Sequence, residues 1–113
     1  MRVTIYHNHN CSNSRKALEI IRAKGIEPHI IEYLKTPLEP EELRDLIGQL
    51  QVPVRAVVRT SEPAYAEMQL DGADDDTLLA AMAQHPILMN RPIVVTPKGA
   101  KLCRPGEMVQ SLL

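Results

Sequence analysis

Apolar and polar residues alternate over residues 2–6 (Arg-Val-Thr-Ile-Tyr), a β-branched pattern that predicts a short strand. The polar run His7-Asn8-His9-Asn10-Cys11-Ser12-Asn13-Ser14 breaks the alternation and predicts a loop feeding a helix. Over residues 14–24 the period becomes helical: Ala17, Leu18 and Ile21 share a face, Ile20 widens it, and Gly25 follows as a stop signal. Residues 29–33 (His-Ile-Ile-Glu-Tyr) predict a second strand, and a strand-helix-strand succession of this length predicts a right-handed parallel crossover. Pro40, with Glu41 and Glu42 behind it, makes a favourable first turn for a second helix running to about Leu50. Its Leu43, Leu46, Ile47 and Leu50 fall at i, i+3, i+4 and i+7.

Residues 53–84 predict further helical pieces, over 54–59, over 64–68, and after the Asp74-Asp75-Asp76 cap through Leu78, Leu79 and Met82. Beyond His85-Pro86, the runs Ile93-Val94-Val95 and Lys101-Leu102-Cys103 flank Thr96-Pro97-Lys98-Gly99 and predict a β-hairpin. A final helix from about Pro105 carries Met108, Val109 and Leu112. The predicted order, β-α-β, helices, β-β-α, describes a small mixed-sheet α/β fold with a helical insertion over about residues 38–84.

Composition narrows this picture. A chain of 113 residues, 44% hydrophobic, suits one compact domain. A formal charge of −1 supplies no global basic field for nucleic acid or an anionic membrane. Three tyrosines with no Phe or Trp leave almost no stacking platform for single strands. No stretch approaches the roughly 18 apolar residues of a membrane span, and the first residues lack the apolar core of a signal peptide. Two cysteines are too few for a disulfide framework, so the expected setting is cytoplasmic and reducing, with a monomer as the default. The charge is nonetheless segregated. Residues 62–76 hold six acids and no Lys or Arg, whereas residues 77–106 hold Arg91, Lys98, Lys101 and Arg104 and no acid. The acidic run reads as a solvated, capped helical face.

Cys11 is the residue with most chemical promise. At the end of a strand-to-helix loop, a thiolate meets unpaired backbone N–H groups and the positive end of the helix dipole. Such a setting draws a thiol pKa from about 8.5 toward roughly 3.5–7.5. His7 and Arg15 are near enough in sequence to add to the effect, and the polar neighbours Asn10, Ser12 and Asn13 argue against an apolar pocket. Cys11-Ser12-Asn13-Ser14 is a Cys-x-x-Ser, so a local resolving thiol is missing and must come from elsewhere. Cys103, in the predicted hairpin, reads as a small core residue. His7, His9 and Cys11 offer metal-ligand types at alternate positions. No Cys-x-x-Cys or His-Glu-x-x-His pattern supplies partners, and His29, His85 and Cys103 are scattered, so no metal is expected. Arg59, Arg91 and Arg104 each stand at the end of a predicted element, and guanidinium forks suit tetrahedral oxyanions.

The blocks Ile5-Tyr6-His7-Asn8 to Cys11 and Ser14-Arg15, Val54-Arg55-Ala56 to Arg59, and His85-Pro86-Ile87-Leu88 through Asn90-Arg91-Pro92-Ile93-Val94-Val95 to Leu102-Cys103-Arg104-Pro105 carry a resemblance. Over nearly its full length the chain resembles the glutaredoxin-coupled arsenate reductases, a family with a thioredoxin-like fold and a helical insertion. The resemblance implies Cys11 as nucleophile and His7 as a tuner of its ionisation. It implies Arg59, Arg91 and Arg104 as oxyanion-binding residues, with Ser14 and Arg15 of the matched loop on the substrate side. Pro92 matches the proline that is cis in thioredoxin-like folds. Arsenate or a similar oxyanion is the implied substrate, glutathione the co-substrate and glutaredoxin the partner, with no tightly bound cofactor. The family pattern has Pro where this chain has His9. Two other readings are a glutathione-dependent thiol oxidoreductase and a redox-responsive regulator that binds the transcription machinery. Retention of all three arginines argues against the regulator.

Overall fold

Three residues of alternating strand, Thr4–Tyr6 (β1), hold the centre of a four-stranded sheet. β1 pairs in parallel with β2 (His29–Ile31) and antiparallel with β3 (Ile93–Thr96), which forms a hairpin with β4 (Gly99–Leu102). The order is β2-β1-β3-β4, with Ile5 opposite both Ile30 and Val94. This computed structural model describes residues Met1–Leu113. β2 is shorter than the pattern predicts because the Lys35 and Thr36 N–H groups both bond the Glu32 carbonyl, at 2.9 Å each, and turn the chain out of the sheet. β4 starts and stops earlier than predicted, leaving Cys103 one residue past the strand, where its N–H donates to the Pro92 carbonyl at 2.8 Å.

Four α-helices form: α1 (Ser12–Ala23), α2 (Pro40–Leu50), α3 (Pro63–Glu67) and α4 (Asp75–Gln84). α1 begins two residues before the predicted start. It ends at Gly25 (φ +77), whose N–H reaches the Arg22 carbonyl at 2.9 Å. α2 keeps its predicted bounds, since the Glu42 carboxylate accepts the Glu39 N–H at 3.0 Å and Pro40 occupies the first turn. α4 is capped by Asp74, which accepts the Thr77 N–H at 2.9 Å. Val54–Val57 is a 3-10 helix and not a longer α-helical piece, and a further 3-10 turn, Pro86–Leu88, was not anticipated.

The final helix, Gly106–Leu112, is also 3-10. Its buried residues Gly106, Val109 and Leu112 recur every third position, and a 3-10 helix eclipses such residues on one face. That face packs along α1. A Cβ on Gly106 would lie 2.6 Å from the Asn13 carbonyl oxygen, 2.9 Å from Lys16 Cβ and 3.0 Å from the Ala17 nitrogen, so only glycine permits the approach.

The chain forms two compact units, Met1–Thr36 with Arg91–Leu113, and Pro37–Asn90. The first contains the sheet, α1 and the C-terminal 3-10 helix around a core of Val3, Ile5, Ala17, Ile21, Val94, Cys103, Val109 and Leu112. A fully buried aliphatic side chain stabilises by about 1.5–3 kcal/mol, so this cluster outweighs ion pairs such as Lys16–Glu19 on the surface, worth about 0–1 kcal/mol each. The second unit is helical and interrupts the first in chain order. It reaches Asn90 because residues 57–59 pair with 88–90: Arg59 N–H donates to Leu88 O and Asn90 N–H to Val57 O, both at 2.7 Å. Arg55 braces it, donating to Tyr65 Oη and the Ala73 carbonyl at 2.7 Å each.

Gly106→Ala should destabilise the protein by about 1–3 kcal/mol, the cost of overpacking a close helix contact. Urea unfolding measures it, and an unchanged midpoint would contradict the close approach.

Candidate functional site

Cys11 is the N-cap residue of α1, with extended backbone (φ −99, ψ 123) and no side-chain cap hydrogen bond. At this position the side chain faces the N–H groups of the second and third helical residues, here Asn13 and Ser14. The loop before it is fastened from within. The Asn8 carbonyl accepts the Cys11 N–H at 2.9 Å, the Asn8 N–H donates to Ser14 Oγ at 3.2 Å, and Asn8 Oδ1 accepts the Asn10 N–H at 3.0 Å. Asn8 and Ser14 are both buried.

The first turn of α1 carries no acid, whereas α2 carries Glu41 and Glu42 there and α4 carries Asp75 and Asp76. Those carboxylates already answer the positive ends of their own helices. Of these three longer helices, α1 alone leaves that end to another anion.

Two arginines supply the rest. The Arg104 Nη1 lies 3.7 Å from Cys11 Sγ and donates to the Arg91 carbonyl at 2.8 Å. The Arg91 side chain also hydrogen-bonds the sulfur. Burial pushes the Cys11 thiol up, for the residue is only 8% exposed. The Ser14 N–H, the Arg91 side chain, the Asn13 N–H and Arg104 outweigh burial and bring the pKa from 9.0 down to about 7. Cys103, fully buried in the core, goes the other way: burial raises it to about 11, with Lys101 opposing.

The remaining sequence candidates fall into place around this. His7 is buried, its backbone N–H bonds the Ile31 carbonyl at 2.9 Å, and its Nδ1 has no hydrogen-bond partner. Burial, then the neighbouring His9, lower its pKa from 6.5, so it is neutral at pH 7. His9 is exposed, with Nδ1 3.9 Å from Glu32. Arg15 donates to the His9 carbonyl at 2.8 Å, and the Ser14 hydroxyl is engaged in holding the loop. Arg91–Pro92 is a cis bond, and so is Arg104–Pro105. Arg59 belongs to the helical unit, where its Nε donates to Glu62 at 3.2 Å and its Nη1 to Asn90 Oδ1 at 3.3 Å. The sequence reading missed Asn8, Asn13, Gly106 and Glu62. The Asn-x-Asn spacing of residues 8 and 10 was the one local signal available, as Asx turns follow from it.

A cysteine at the N-cap position of the helix after β1, in a sheet of order β2-β1-β3-β4 whose third strand follows a cis proline, defines a thioredoxin-like protein. Comparison narrows the class: the ArsC family profile matches residues 6–112. The chain is 51% identical to the arsenate reductase of Escherichia coli K12 over 98% of its length and 80% of that protein. It is 47% identical to that of Rhizobium meliloti 1021, over 100% of this chain and 82% of that one. The solved arsenate reductase from Vibrio cholerae superposes with a TM-score of 0.96 at 46% identity, covering 100% of this chain and 98% of that chain. The protein belongs to the ArsC family. No helix is long and apolar enough to cross a membrane.

The low Cys11 pKa has a stability signature. Between about 7 and 9.0 the folded chain holds the thiolate while an unfolded chain keeps the proton, so stability rises with pH across that window. It is lost as pH falls through the folded value. Cys103 acts above 9.0 with the opposite sign. Cys11→Ser should flatten the rise, measured by urea unfolding at several pH values; an unchanged slope would contradict the assignment.

Proposed function

We propose that this protein is an arsenate reductase that converts arsenate to arsenite with glutathione and glutaredoxin, with Cys11 as its nucleophile. The observation that carries the reading is the Cys11 thiol at the acid-free N-terminus of α1, faced by Arg91 and Arg104. A thiolate meets an anionic substrate only where fixed positive groups offset both charges, and backbone N–H groups with two guanidinium forks are suited to that. Family membership and relatives named arsenate reductase at about half identity support the choice of oxyanion.

In the proposed reaction the Cys11 thiolate attacks arsenic, an S–As bond forms, and one arsenate oxygen leaves as water with protons from the substrate and solvent. Glutathione adds to arsenic through its thiol, releasing a second water. A glutaredoxin thiolate then attacks the glutathione sulfur, making a mixed disulfide. The electron pair of the broken S–As bond stays on arsenic, which falls from As(V) to As(III). Hydrolysis of the remaining S–As bond frees arsenite and restores Cys11. No tightly bound cofactor enters, and the missing second thiol of Cys-x-x-Ser is supplied in trans.

Arg91 and Arg104 hold the oxyanion in this scheme. The Ser14 and Asn13 N–H groups complete its cradle, Ser14 and Arg15 shape the loop, and neutral His7 supports it. Arg59 is already partnered by Glu62, and the scheme does not depend on it. We read the chain as one thioredoxin-like domain interrupted by the helical unit. We take it to work as a monomer in the reducing cytoplasm, where the thiol stays free.

Turnover with arsenate, glutathione and glutaredoxin tests the proposal. Wild type should release arsenite, Cys11→Ser none, and Cys103→Ser most of the wild-type amount; a folded but inactive wild type would refute it. Arg104→Ala should weaken arsenate binding by about 1.5–3 kcal/mol, the worth of one charge-assisted hydrogen bond. Unchanged affinity in calorimetry would remove Arg104 from the site.

A further inference from the structure

The side chain of Asn13, which joins the thiol-bearing helix to the Arg104 segment, has no part in the proposed reaction. Asn13 is the second residue of α1. Its backbone N–H is one of the groups that stabilise the Cys11 thiolate, and its side-chain Oδ1 accepts the Gly106 N–H at 3.3 Å. Gly106 stands two residues beyond Arg104, with Pro105 between them at a ring-fixed φ of −71. The same glycine makes the close approach to the Asn13 carbonyl described above. The Arg104 segment is therefore registered on α1 at Asn13 by one hydrogen bond and one steric contact, and a short stretch of chain runs from there to the guanidinium. That guanidinium reaches Sγ at 3.7 Å across 93 residues of sequence.

We propose that Asn13 is a positioning residue for Arg104: by catching the Gly106 N–H, its side-chain carbonyl sets the reach of the Arg104 guanidinium to the Cys11 sulfur. The proposal rests on the reading of Cys11 as the working thiol.

The residue type fits the task. The first turn of α1 needs an acceptor oxygen for Gly106 but no negative charge, which would oppose the thiolate. Asn supplies the oxygen without the charge. The alternative, that Asn13 merely holds the C-terminal helix in place, has less to do, because Val109 and Leu112 already bury that helix and Leu112 O accepts from Thr96 Oγ1 at 2.9 Å.

The test is the rate of Cys11 alkylation by iodoacetamide against pH, in the full chain, for wild type, Asn13→Ala, Arg104→Ala and the double variant, with circular dichroism reporting the fold. Asn13→Ala should raise the apparent Cys11 pKa by about half a unit to one unit, cutting the thiolate fraction below the midpoint by about 3–10-fold. In the Arg104→Ala background it should add little, since the two changes act through one contact. No shift in a folded Asn13→Ala protein would overturn the proposal, and so would an equal shift with and without Arg104. Asn13→Ser, whose hydroxyl falls one bond short of Gly106, serves if the alanine variant does not fold; failure of both to fold would assign Asn13 a structural role and end the proposal. Alkylation needs no arsenate, so a protein inert toward arsenate would refute the proposed function and leave this test intact.

Discussion

A buried sulfur carrying negative charge is the constraint on which the rest of the site depends. Desolvation alone drives a thiol toward its neutral form, as it does for Cys103 in the core. Cys11 is nearly as inaccessible, yet its pKa moves the other way. The difference lies in what each sulfur faces. Cys103 sits among Val3, Ile5 and Val94, whereas Cys11 faces two backbone N–H groups and two guanidinium groups. The fold achieves this by ending β1 in a loop closed by Asn8 and Ser14, so that the helix starts with its N–H groups turned to the thiol.

Charge is distributed in keeping with that constraint. Each longer helix of the helical unit opens with acids that answer its own dipole, and Arg44 of α2 pairs with Asp76 of α4. α1 opens with Ser12, Asn13 and Ser14. Its first turn offers acceptors and donors without charge, and the cations that complete the site come from the acid-free stretch around the hairpin. The near-zero net charge thus conceals a local surplus of positive groups around one anion.

Elements closed by local chemistry were legible in the sequence. α2 was readable from Pro40 and Glu42, α4 from Asp74, and the placing of Cys11 close before a helix N-terminus from the polar run ahead of an apolar helical face, two residues short of its N-cap position. What escaped depends on contacts far apart along the chain. Gly106 looks like a helix breaker until its position against α1 is known, and the every-third burial of Gly106, Val109 and Leu112 imposes a 3-10 helix where an α-helix was expected. Arg91 and Arg104 became identifiable as site residues by resemblance; their approach to the sulfur is a tertiary fact.

The most direct measurement is the ultraviolet absorbance of the thiolate in a Cys103→Ser protein, which leaves Cys11 as the sole thiol, titrated through neutral pH. A midpoint near 7 is predicted from the N–H groups and arginines that face the sulfur. A midpoint at or above 9.0 would contradict the account, for burial would then have prevailed over them.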